Sequence, residues 1–247
     1  MKRFATTVAL CLALNVSLLG QQPKSQEELD VIRAMYNAAT PDERIQAAQK
    51  LLTDFKDSDF IELANYSLMA AYQEKDDFEN MLLYGERTLS INPNNAGALL
   101  SLATAIPIRT REFDLDRDEK LAKAEDFAKQ ALVLIPNLDK PNPDLPDEQW
   151  LMAKKDYMGS AYESLGLVSL KRENFAVAEE QFRKSLEISA QQTAAGFFYL
   201  GEALNGQGKK EDAINALDQS ISRGDVPLGD GRGAAAVLKA QIQGAAK

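Results

Sequence analysis

The stretch LGLVSLKRENFAVAEEQFRKSLEISA, residues 165–190, decides how this chain folds. Its apolar residues fall three and four apart, without the alternation of a strand, which is the period of a helix. A polar turn divides it, so it reads as two short helices packed back on each other. Gly166 and Ala178 stand where the two backbones must approach closely, and the larger Leu165 and Phe182 fill the space around them.

The same register returns along the chain. From Gly166 the steps to Ala178, Phe182 and Ala190 are 12, 4 and 8 residues. From Leu200–Gly201 the steps to Ala213, Leu217 and Asp225 are again 12, 4 and 8. Leu68–Met69, Met81, Gly85 and Pro93 repeat them once more. A fourth copy, Leu102–Ala103, Ala124, Ala128 and Pro136, keeps the last two steps but opens with 21, so nine residues are inserted. Phe175 and Leu121 precede the small second-helix residues Ala178 and Ala124 by three, and Phe78 precedes Met81, at the same place, by three. Pro93 and Pro136 stop their helices, because proline cannot donate the next backbone hydrogen bond. No such pair buries its apolar face alone, so neighbours must stack.

These copies resemble the tetratricopeptide repeat, a helix–turn–helix unit of about 34 residues. Tyr162, Phe197 and Leu99 fill the family's large position ahead of the Leu–Gly pair, and Asn65 departs from it. Tyr72, Leu204 and Ile106 fill the position three beyond the glycine, and Ser169 departs. The resemblance spans residues 61–227 and implies an all-α fold. That fold is a right-handed superhelix, or α-solenoid, of antiparallel helix pairs. It also implies a concave groove lined by the first helix of each pair. Carried over copy by copy, the groove residues are Tyr66, Ala70 and Gln73, then Leu100 and Thr104. Next come Glu163, Leu167 and Lys171, and last Phe198, Glu202 and Asn205. The Lys and Asn clamp by which some members hold a terminal carboxylate is missing, and this groove is mixed apolar and acidic.

Flanking helices complete the reading, for about eleven in all. Residues 21–60 hold a helical pair over 26–38 and 42–55, with Thr40–Pro41 as cap and first-turn proline. Residues 228–247 hold a capping helix after a glycine-rich turn. Two segments interrupt the register, near 108–119 and 139–158. In the first, Asp114, Asp116 and Asp118 alternate like a calcium loop but lack its turn glycine. The plainer reading is that Asp116 caps the next helix with Glu119 completing a capping box. The second is rich in proline and leads into a long helix from Asp147 to about Lys171. Trp150 on that extension is either a packing anchor or an exposed binding anchor. Arg223–Gly224–Asp225 falls at a helix end, where glycine is an ordinary stop.

Composition narrows the chemistry. The 247 residues carry 28 basic and 37 acidic side chains, a formal charge of −9, with 45% hydrophobic residues. Nothing forms the basic face a nucleic-acid partner requires. There is no histidine, and the one cysteine, Cys11, lies in the leader. The usual proton shuttle, thiol nucleophile and zinc ligands are therefore missing from the rest of the chain. Neither a cofactor nor a metal is expected.

Residues 1–20 have the layout of a secretory signal: Met1–Lys2–Arg3, an uncharged run from Phe4 to Leu19, then Gly20. Cleavage near Gly20 takes the formal charge from −9 to −11, since Lys2 and Arg3 leave. The alternatives are an uncleaved anchor or lipidation at Cys11. The expectation is an exported, periplasmic or secreted, non-catalytic scaffold or adaptor of a bacterial cell envelope. It would bind a protein or peptide in the groove. Two other readings stand beside it: a permanent structural subunit of an envelope assembly, and a hydrolase working through paired carboxylates.

Overall fold

A computed structural model describes residues 22–244, so the leader expected at residues 1–20 lies outside the described residues. Within them there are eleven α-helices and no strand. They are α1 (Gln26–Asn37), α2 (Pro41–Asp54), α3 (Ile61–Glu74), α4 (Phe78–Ile91), α5 (Ala96–Arg109) and α6 (Arg117–Leu134). After a 3-10 turn, Ile135–Asn137, come α7 (Asp147–Lys171), α8 (Phe175–Ile188), α9 (Ala194–Gly206), α10 (Lys210–Ser222) and α11 (Ala234–Gly244). Helices adjacent in sequence pack on one another: α1 on α2, α3 on α4, α7 on α8 and α9 on α10.

Local chemistry sets many of the boundaries. Thr40 and Glu43 form a reciprocal capping box at α2, with Pro41 in the first turn. Ser25, Asp77 and Thr193 accept from the backbone at the starts of α1, α4 and α9. Three hairpins share one turn. Asp76, Glu173 and Gly208 lie seven residues beyond Met69, Gly166 and Gly201, and all three have positive φ, at 59°, 57° and 75°. In each, the next backbone N–H reaches back to close the helix end: Asp77 to Tyr72, Asn174 to Ser169 and Lys209 to Leu204, at 2.9–3.0 Å.

The chain divides into two compact units, and the division falls within α5. One unit comprises the residues up to Leu102 with Asn137–Leu145; the other comprises Ala103–Pro136 and Pro146 onward. The core of the first gathers Val31, Ile32, Met35, Leu51, Leu63 and Leu68, flanked by a stacked Tyr72–Tyr84 pair at 5.6 Å. The core of the second gathers Leu167, Phe182, Leu200, Leu204, Leu217 and Ile242.

Helix pairs close at the small residues. A Cβ on Gly166 would come within 2.5 Å of Phe182, and one on Gly201 within 2.7 Å of Leu217. Ala103, Ala124, Ala178 and Ala213 are fully buried, as are Leu68, Leu102, Phe182 and Leu217. Leu165, read from sequence as repeat core, is only half-buried. It lines a cleft of about 350 Å³ beside Val168 and Val177, whose mouth holds Glu125, Lys129 and Arg172. Trp150 is buried, edge-on to Tyr157 at 6.4 Å, with the Lys154 ammonium over its ring.

Candidate functional site

The residues assigned to a groove separate between the two units. In the first, Tyr66 is 1% exposed and Leu100 7%, and Ala70 is buried too. This corrects the expectation that Tyr66 and Leu100 offer apolar contacts to a partner. Tyr66 is covered because Gly97 makes room for it: a Cβ on Gly97 would stand 2.3 Å from the tyrosine hydroxyl. Gln73, near the end of α3, is exposed.

In the second unit several assigned residues converge. Thr104 of α5 and Ser164 of α7 join hydroxyls at 2.8 Å, and Ser164 also donates to the Ser160 carbonyl. Two small hydroxyl side chains thus let these helices approach while satisfying each other. The Glu163 carboxylate of α7 lies beside Gly196 of α9, where an added Cβ would stand 3.6 Å from Oε2, an ordinary contact; the tighter neighbour of Gly196 is Leu186 at 3.0 Å. Leu167, expected at the groove, is instead part of the core at 3% exposure. Thr104, Glu163, Lys171, Phe198, Glu202 and Asn205 are half-buried, neither sealed nor free.

Beneath them lies an aromatic floor. Phe182 is fully buried and stacks on Tyr199 at 5.7 Å, and Phe198 tilts against Tyr199 at 5.4 Å. Tyr199 was not among the residues singled out from sequence, although the run Phe197–Phe198–Tyr199 advertises it. Lys171 donates to the Thr110 carbonyl at 3.1 Å, and Arg117 donates to the carbonyl of Lys171, so the end of α7 is tied to the ends of α5 and α6.

The electrostatics of this face are unusual for the chain. Burial pushes the Glu163 carboxyl up to about 7. Burial also lifts Glu202 to about 7, opposed by the positive charge of Lys171. Tyr199 is pushed up to about 12 by burial and by both carboxyls. Among the described residues, neither Glu163 nor Glu202 has a hydrogen-bonded or ion-paired partner. Half-buried carboxylates elsewhere in the chain do: Glu62 accepts from Asn92 and Asn95, Glu125 pairs with Lys129 and Arg172, and Glu179 pairs with Arg183 and Lys209.

Two other sequence features resolve into structural roles. Asp116 stands at the N-cap of α6 but makes no cap bond; its carboxylate binds Lys120 at 2.8 Å, which also binds Asp114 at 3.2 Å. Beside them Phe113 and Leu115 are 88% and 107% exposed. Asp225 of the Arg–Gly–Asp triplet accepts from the backbone of Val226, Ala235 and Ala236, and so caps α11.

No helix among the described residues is long and apolar enough to cross a membrane. Compared with known proteins, the chain matches no family model and no curated protein.

Proposed function

We propose that this protein is a non-catalytic protein-interaction module, exported from the cell, whose helix pairs are tetratricopeptide-like units stacked as a right-handed solenoid. The shared left-handed turn at Asp76, Glu173 and Gly208 supports the repeat reading, because one hairpin geometry recurs in one register. The partner is a protein or peptide, and its site is the face of the second unit formed by α7 and α9. One observation carries this: polar groups and an aromatic floor meet there half-buried, and two of the carboxylates have no hydrogen-bonded or ion-paired partner among the described residues. Burying a charge without a partner is costly, so a surface that keeps such groups is better suited to a second molecule than to stability alone.

Crosslinking in the native envelope followed by mass spectrometry identifies the partner. Phe198→Ala then tests the face: partner capture falls while the helical spectrum is unchanged. Capture that is indifferent to Phe198→Ala moves the site elsewhere. A second reading, a permanent subunit of an envelope assembly, is favoured by Phe113 and Leu115, which stand in solvent on a loop braced by Asp114 and Lys120. Extraction with the membrane fraction, lost on Phe113→Ser with Leu115→Ser, supports that reading.

A further inference from the structure

We infer that the α7–α9 face receives basic side chains of its partner, with Glu163 and Glu202 as the anions that hold them on either side of Tyr199. This rests on the reading of that face as the partner surface and adds the chemistry of what lands there.

Tyr199 and Glu202 are three residues apart on α9, so they are neighbours on one side of the helix. Glu163 reaches the same side of α9 from α7: its Oε2 would be 3.6 Å from a Cβ added at Gly196, three residues before Tyr199. Both carboxyls act on the Tyr199 hydroxyl, so all three share one local field. Tyr199 has no hydrogen bond among the described residues, and Glu163 is half-buried without a partner among them.

The cations of the surrounding elements are committed elsewhere. Lys171 donates to the Thr110 carbonyl, Lys184 of α8 pairs with Glu180, and Lys239 of α11 pairs with Asp218. Arg223, beyond α10, lies over the Phe197 ring at 4.3 Å and binds Gln219. Of these only Lys171 acts on the pair, through Glu202. What the pair lacks is a cation with hydrogen-bond donors. A lysine or arginine side chain supplies both and can lay its stem along Phe198 and Tyr199. An acidic or apolar occupant would leave the carboxylates no better served.

Binding of a cation must then compete with protons. The free carboxyls ionise near 7, and a bound cation favours their ionised form, so protons are released on binding. Affinity should be high at pH 8 and fall as the pH drops through 7.

The test uses the full chain and a hexa-arginine peptide, followed by calorimetry. Expected is a loss of affinity of about tenfold or more from pH 8 to pH 6. A similar loss is expected at pH 8 in Glu163→Gln with Glu202→Gln. The control, Glu187→Gln with Glu211→Gln, changes net charge equally at exposed positions and should retain the wild-type pH dependence. Equal losses in both double variants would mean that net charge alone attracts the peptide, and would overturn the inference. So would a free polyamine that binds the pair as tightly as the peptide. With the crosslinked partner the two readings separate: a partner lost on Phe198→Ala but indifferent to the glutamine pair leaves the surface standing and removes the cation. A partner indifferent to all three substitutions removes the surface itself.

Discussion

Glu179 on α8 and the pair Glu163 and Glu202 on α7 and α9 are glutamates of the same compact unit, yet they ionise in opposite directions. Burial works against the Glu179 carboxylate, but donors from Lys209, Gln207 and Arg183 outweigh it and hold the carboxyl down at about 2. Among the described residues, burial meets no donor at Glu163 and only the opposing charge of Lys171 at Glu202, and both rise to about 7. Exposure does not explain the contrast, since the Glu179 side chain is only 15% exposed. Partnership does. Glu179 ties α8 to the turn before α10 and is spent on the fold, whereas the other two remain unspent.

The largest expected effect removes what lies beneath the unpaired side. Phe182→Ala takes away the ring on which Tyr199 stacks and leaves a void against Gly166. It should cost about 3–5 kcal/mol in denaturant unfolding. A smaller loss would mean that the two sides do not share a floor.

The pH dependence of stability sharpens the contrast most directly. The folded Glu163 and Glu202 carboxyls sit at about 7, above the ordinary 4.5, so their contribution is present below 4.5 and lost as pH rises through 7. Glu179, at about 2, contributes above 4.5 and loses its contribution as pH falls through 2. Between pH 8 and pH 5 the raised Glu163 and Glu202 carboxyls change stability and the lowered Glu179 does not. Wild type should therefore gain on the order of 1–3 kcal/mol on acidification across that window. Glu163→Gln with Glu202→Gln should abolish most of the gain and raise the melting temperature at pH 8. Glu179→Gln should do the reverse at pH 8, lowering stability by about 1 kcal/mol. Matching signs for the two sets of variants would break the comparison.

Gly201→Leu probes the scaffold that holds both sides. It drives bulk into Leu217 and should cost about 1–3 kcal/mol, read as a lower melting temperature. Smallest is a gain. Asp76→Gly and Glu173→Gly should each stabilise by about 0.5–1 kcal/mol, because glycine occupies a positive φ without the penalty a side chain carries.

Much of the fold could be read from residues because the cues were local. Thr40–Pro41 announces α2, and Asp147 to Lys171 forms one long helix as the spacing predicts. Gly166 and Gly201 mark close approaches because no other residue leaves enough room. The site was less legible, because what covers a side chain is distant in sequence. Tyr66 looks like a groove residue until Gly97 of α5, two helices on, packs against it. Leu167 has the same register position as its neighbours but turns into the core. Gly224 reads as a helix stop, and the neighbouring Asp225 proves to cap a helix that starts nine residues later. The ionisation of Glu163 and Glu202 depends on the absence of donors in three dimensions, which no spacing encodes.

The recurring turn at Asp76, Glu173 and Gly208 has a consequence for how such a chain changes over generations. Each turn closes its own helix through backbone bonds, to which the Gly208 turn adds the reach of Gln207 and Lys209 to Glu179. The corresponding joint between α5 and α6 already carries nine extra residues. The joints are therefore natural grafting points. Novelty can be spliced in at a hinge without renegotiating the interior, and a loop transplanted between Gln207 and Lys209 should be accepted on the same terms.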